Sequence, residues 1–338
     1  MRAKHSAPRY RSWLIGCAIG ALTIPWSAVH AGKRVHEQVT VDPHGSIDIV
    51  TVSGDIDLVG WERPEIEVTG STADDVDRVE VTSKDSMASI HVVTEKHWHM
   101  GMGEETHLVI HVPSQSAVSV SLVSSDLHVR GLQGEVRIQT VSGDVSGEVG
   151  GDLHFNGVSG DVKLRAPAAK VIEMKTISGD IQLLGGNGSS GPPGDANITT
   201  VSGGAKVELP VLSHGHFKTV SGDMTVHLGV GESAQIEGES VSGTLHFDFA
   251  KVPDAAIDAQ TISGDIDNCF GPKPMESKWG AGSRLSFKSL DGNGHIRIQT
   301  KSGDITFCAK DKRGAVNYPA EQRRDSFLVA LTHFRPML

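Results

Sequence analysis

The stretch Thr51-Val52-Ser53-Gly54-Asp55-Ile56 returns along the chain almost unchanged. It reads Thr-Val-Ser-Gly-Asp-Val from Thr140, Gly-Val-Ser-Gly-Asp-Val from Gly157 and Thr-Ile-Ser-Gly-Asp-Ile from Thr176. Further copies start at Thr219, Thr261 and Lys301. The serines of the phrase are Ser53, Ser142, Ser159, Ser178, Ser202, Ser221, Ser242, Ser263 and Ser302. From Ser142 on, most steps are close to 20 residues, the period of a stacked array. A degenerate copy, Leu122-Val123-Ser124-Ser125-Asp126, precedes Ser142. Another, Ser289-Leu290-Asp291-Gly292-Asn293, lies in the double-length step before Ser302. A Gly-rich loop, residues 185–194, lengthens the step between Ser178 and Ser202.

Within one period, apolar residues fall one before, three after and five after the serine, as in Ile177, Ile181 and Leu183. Alternation of period two is the signature of a strand. A second apolar pair lies six and four before it, as in Val136 and Ile138. Between the two sets the spacing jumps from two to three, so the chain must bulge or turn there. Each period therefore holds at least two short strands and a corner. A coil of about 20 residues has a perimeter near 65 Å and cannot bury its inner face alone, so it stacks on its own copies about 4.8 Å apart. The expected fold is all-β: a parallel β-solenoid (β-helix) of about ten coils with a less regular N-terminal β cap. The reading places Val and Ile of the phrase inward, Thr, Ser and Asp outward, and Gly at the bend.

Four segments follow. Residues 1–31 read as a signal peptide: Arg2, Lys4, Arg9 and Arg11 precede an apolar run over 13–24 that is too short to span a bilayer, and Val29-His30-Ala31 suits cleavage before Gly32. A second reading takes Leu14-Ile15-Gly16-Cys17 as a lipobox and the chain as a lipoprotein; the apolar run continues past Cys17, which weighs toward the first. Residues 32–115 form the N-terminal β region and cap, 116–309 the repeat solenoid, and 310–338 a C-terminal tail. No apolar run of the mature chain is long enough for a membrane span. The localisation expected is export to the periplasm or the cell surface.

The phrase at this spacing, with the approach Val109-Ile110-His111-Val112-Pro113 and then residues 118–127, resembles the bacterial putative-adhesin family of β-strand-repeat domains of unknown function. The resemblance spans roughly residues 40–308. It implies a β-helical fold in exported or surface proteins, and it brings no catalytic residues.

The net charge of -10, with no cluster of Lys and Arg in the repeats, speaks against nucleic acid. No nucleophile elbow, phosphate loop, dinucleotide fingerprint or zinc-enzyme spacing occurs. The expected function is a non-enzymatic surface-binding protein whose partner is an envelope polymer, glycan or protein, and no cofactor is implied. The alternatives are a periplasmic envelope-stress or scaffold protein and a polysaccharide-active β-helix enzyme.

Three sets of residues merit singling out. The repeat turns Ser142-Gly143-Asp144, Ser178-Gly179-Asp180 and Ser221-Gly222-Asp223 align their carboxylates in a column that Gly204 and Thr244 interrupt. Each Asp is expected to cap its own turn; a column of cation sites is the alternative. The loop 95–107 gathers His97, His99 and His107, either as a solvated hairpin tip or as ligands for copper or zinc. Cys269 and Cys308 share one position of the phrase, six after the serine. In adjacent coils they would sit about 4.8 Å apart and could form a disulfide; with a coil between them, formed by Ser289–Asn293, they could not.

Overall fold

A computed structural model describes residues 33–73, 76–94, 106–185, 194–276 and 282–309. Every regular element among them is a β-strand. In each coil an approach strand leads to the Ser-Gly corner and a departure strand leaves it, as Val171–Ser178 and Ile181–Gly185 do. Approach strands pair with approach strands and departure strands with departure strands, in parallel and in register. Leu153–Gly157 runs beside Val136–Ser142 on one side and Val171–Ser178 on the other. Val162–Ala166 does the same between Val145–Val149 and Ile181–Gly185. The two stacks, the approach sheet and the departure sheet, are joined into one continuous sheet by long strands such as Ser46–Trp61, and their buried side chains form one core.

The register also gives the stacking order of the corners. Ser53 lies beside Ser124, the degenerate copy, and Ser124 beside Ser142. Ser159, Ser178, Ser202, Ser221 and Ser242 follow in sequence order. There the order breaks, because Ser242 pairs with Ser302 and Ser302 with Ser263. The last coil in the chain is thus inserted between the two before it. The chain makes this possible by doubling back: Ser283–Ser289 runs antiparallel on the outer edge of Ala255–Ser263, and Gly294–Ser302 then enters on the inner edge. Ser289 ends that antiparallel strand, so the degenerate copy there forms no coil of the stack.

Antiparallel strands border the stack elsewhere too. Val76–Lys84 pairs with Met87–Thr94 beside the approach half of Ser46–Trp61. Lys33–Thr40, Glu65–Thr72 and His107–Pro113 extend the departure sheet in the same direction. These additions leave few unpaired parallel edges, which would otherwise template association with another chain.

The inward set differs from the sequence expectation at one place. Buried side chains stand six, four and two before the serine, then three and five after it: Ile172, Met174, Thr176, Ile181 and Leu183 in one coil. Thr of the phrase points inward, and the Val or Ile beside it points out; Ile177 is 52% exposed and Thr176 only 4%. The shift of alternation therefore falls at the Ser-Gly corner and not upstream of it. The reason is the glycine, whose backbone is left-handed in every regular coil, with φ of 113° at Gly143 and 108° at Gly179. In two coils the inward Thr satisfies its hydroxyl locally: Thr140 and Thr176 each donate to the carbonyl of the serine two residues on, at 3.1 Å. The corner carbonyl thus gains a donor and the core gains a β-branched filler.

Candidate functional site

The corner edge is built from three stacked columns. In the glycine column, a Cβ added at Gly160, Gly179, Gly203 or Gly222 would lie 2.2 to 2.3 Å from the carbonyl oxygen of the glycine one coil below. The aspartates do not cap their own turns, as expected from sequence, but the turn one coil on. Asp144, Asp161 and Asp180 accept from the backbone N–H of Asp161, Asp180 and Gly204 at 2.8, 2.9 and 2.8 Å. Asp223 accepts from Thr244 and Asp304 from Asp265. Coil spacing explains the correction: a carboxylate one coil below sits directly under the next amide. Gly204 and Thr244 supply no carboxylate for the Asp223 and Asp304 amides that follow them. The third column is the outward Val and Ile series, from Val52 to Ile262.

The outer face of the approach sheet carries polar side chains five and three before each serine. In stacking order the first row reads Arg137, His154, Glu173, Asn197, His216, Glu237, Arg297, Asp258. The second reads Gln139, Asn156, Lys175, Thr199, Lys218, Glu239, Gln299, Gln260. Neighbouring coils pair charges across these rows. His154 stands 3.3 Å from Glu173 and 3.5 Å from Glu135; Lys218 stands 3.1 Å from Glu239. Hydrogen bonds from Lys175 and then His154 hold the Glu173 carboxyl below the usual carboxylate range. Shallow recesses lie on this face. One, of about 400 Å³, is lined by Glu173, Asp195, Asn197, His214, His216 and Glu237 among others. Another, of about 310 Å³, is lined by Asp258, Gln260, Arg284, His295, Arg297 and Gln299 with Ala259.

The departure sheet has a different feature. Asp248 lies 2.9 Å from Nδ1 of His227 and 3.2 Å from Nε2 of His246, and its carboxylate is 15% exposed. Each imidazole, when protonated, can thus form an ion pair with the carboxylate. His227 and Asp248 form part of the wall of a recess of about 560 Å³, with Leu184, Pro210 and Val211 on the apolar side.

His97 and His99 lie outside the described residues. His107 is on the departure sheet, 3.9 Å from Asp57. His111, on the same strand, stacks on Trp61 with ring centroids 4.7 Å apart, and Arg63 covers that indole at 4.7 Å. His91 belongs to the approach sheet and stands 3.8 Å from Asp48, so it does not converge with the other two. Among the described residues no group of three or more His, Cys, Asp or Glu side chains is placed to hold a metal ion. Cys269 and Cys308 form a disulfide with Cα atoms 4.8 Å apart. The inserted last coil makes them neighbours, since Ile266–Asn268 pairs directly with Ile305–Ala309.

Sequence reading missed His227, His246, Asp248, Arg284 and Arg297. All but Arg284 sit at fixed outward offsets from a serine of the phrase, and laying those offsets side by side would have drawn attention to them.

Residues 44–307, which hold these stacked corners, match a family model, Toastrack DUF4097. The chain belongs to the Toastrack family. Solved structures that this chain is similar to include an adhesin-described protein of Bacteroides fragilis, 13% identical over 82% of this chain and 97% of that one, at a TM-score of 0.38. Another from Parabacteroides merdae is 16% identical over 79% and 96%, at 0.32. A cell adhesion protein of Clostridium sporogenes, also so described only provisionally, is 10% identical over 82% and 100%, at 0.22. No curated protein matches this Toastrack chain.

Proposed function

We propose that this Toastrack protein is an exported, non-enzymatic surface-binding protein of the adhesin type, a β-solenoid of about ten coils with an N-terminal cap. It engages an extended envelope polymer, a glycan, along the outer face of the approach sheet. One observation carries the reading: amide, carboxylate, imidazole and guanidinium groups recur at the same two offsets in coil after coil on that face. Such rows offer hydrogen-bond partners at a constant spacing of about 4.8 Å. Many weak contacts to a repetitive chain then add through effective concentration, without one deep pocket.

The test is direct. The processed, tagged chain is located by cell fractionation and protease shaving of intact cells, and the purified chain is titrated with isolated envelope glycans. Surface accessibility with saturable glycan binding and unchanged glycan length supports the proposal. Protection inside the periplasm refutes adhesion, and shortening of the glycan would make the protein an enzyme.

A further inference from the structure

The recess at the C-terminal end of the approach sheet differs from the rest of that face in charge. Register places three strands side by side there. Ser283–Ser289 contributes Arg284, Ser286 and Lys288; Ala255–Ser263 contributes Gln260, Asp258 and Ala256; Gly294–Ser302 contributes Gln299, Arg297 and His295. Arg284, Lys288 and Arg297 face outward with one carboxylate, Asp258, among them. The patch is cationic in a chain whose net charge is -10. The larger recess on the same face has the opposite balance, with Glu173, Asp195 and Glu237 and no Lys or Arg in its lining.

Among the described residues neither guanidinium group is ion-paired with a carboxylate. Arg297 has Glu237 and Asp258 as its register neighbours, yet among the described residues it makes no ion pair with either. Its Nε and Nη2 instead meet the Gln299 amide oxygen at 2.9 and 3.0 Å, in the amide orientation that satisfies both groups. That contact fixes the plane of the guanidinium and leaves Nη1 outside it. Arg284 lies beside Gln260, two strands from Arg297, so the pair flanks the amides of Gln260 and Gln299. Planar guanidinium and amide groups lining one recess of about 310 Å³ suit an anion carried on a polyhydroxylated body.

We propose that this recess is a subsite for an anionic saccharide, with Arg284 and Arg297 clamping its acidic group and Gln260, Gln299 and His295 contacting its hydroxyls. The inference rests on the glycan-binding reading above and adds the class of glycan. The acidic group can be a carboxylate or a sulfate, which share the same guanidinium chemistry.

Calorimetric titration of the disulfide-intact mature chain with hexagalacturonate, a sulfated dextran hexasaccharide and neutral maltohexaose tests it. Binding of either anionic hexamer at least about tenfold tighter than maltohexaose, weakening as salt rises, is the expected result. Which anion binds identifies carboxylate or sulfate as the source. The double variant Arg284→Ala with Arg297→Ala should lose about tenfold in that affinity. It should keep the thermal midpoint of the parent, because both side chains are exposed. Lys163→Ala, an exposed cation on the departure strand Val162–Ala166 and so off this face, should bind as the parent does. Equal binding of all three hexamers overturns the subsite and leaves the glycan reading standing. No binding of any hexamer, with none of the isolated envelope glycans bound, overturns both. Anionic binding that survives the double variant overturns the assignment to this recess.

Discussion

Replacing Gly179 by Ala tests the corner that the whole stack shares. Two costs add at this position. A φ of 108° is open to glycine and costs another residue about 1–3 kcal/mol. The new methyl would also stand 2.2 Å from the Gly160 carbonyl oxygen. An ordinary contact needs about 3.5 Å, so the two coils must part by roughly 1 Å. Three hydrogen bonds cross that step: Ser178 to the Val158 carbonyl at 2.9 Å, Asp180 to the Asp161 carboxylate at 2.9 Å, and Val162 to the Asp180 carbonyl at 2.8 Å. At about 1 kcal/mol net for each bond weakened, the sum with the backbone cost reaches about 4–6 kcal/mol. That is a third or more of the stability of an ordinary domain. Gly204→Ala is the control, since its Cβ would meet atoms no closer than 3.5 Å and its φ is not left-handed. It should change stability by less than about 1 kcal/mol, on the favourable side. Urea titration reads both as a shift in midpoint at constant slope. A Gly179→Ala midpoint within about 1 kcal/mol of the parent, or an equal loss from Gly204→Ala, would refute the stacked-glycine account.

The orientation of the phrase predicts that Ile177→Thr changes urea stability by less than about 0.5 kcal/mol, whereas Ile181→Ala, at a side chain 1% exposed, costs about 2–4 kcal/mol. Gly204→Asn supplies an uncharged acceptor for the next amide in the ladder and should raise stability by about 0.5–1 kcal/mol, read by the same titration. The disulfide closes a loop of 39 residues, so Cys308→Ser should cost about 4 kcal/mol, and reductant should bring the parent to the same urea midpoint. Desolvation pushes the Asp254 carboxyl up, but hydrogen bonds from the Asn293 side chain and the backbone amides of Asn293, Gly292 and Asp291 outweigh it and hold the group low. A carboxyl held low in the fold contributes stability above its unfolded pKa and loses it as pH falls through the folded value. Asp254→Ala should therefore be destabilising at pH 7 and lose that difference in acid, as stability measured across pH will show.

Much of the array was legible because its signals are local. The serine spacing, the strand alternation after Asp and the turn glycine all depend on residues within one coil, and they lead to parallel stacking with Ile181 and Leu183 inside. The placing of Thr176 and Ile177 was not legible, because β-branched residues suit either face and a left-handed glycine resets the alternation wherever it falls. The ladder from Asp161 to Asp180 was read as a set of separate turns, since a cap one coil away leaves no trace in local spacing. The order Ser242, Ser302, Ser263 depends on a choice of partner between distant strands. That same choice makes neighbours of Cys269 and Cys308 and collects Arg284 and Arg297 around Gln260. Residues brought together by nonlocal pairing share no short motif.

The inserted last coil ties integrity of the product to completeness of the chain. A strand array in simple sequence order can stop after any coil and still leave a usable end. Here Ala255–Ser263 and Ser283–Ser289 are made before the residues that will separate them from the Ser242 coil. Until Gly294–Ser302 and Ile305–Ala309 emerge, the penultimate coil has no native neighbour on its inner side, and Cys269 has no Cys308 to meet. A polypeptide cut short near residue 290 would leave an open sheet edge and Cys269 without its disulfide partner, and the inserted coil supplies the cover for both.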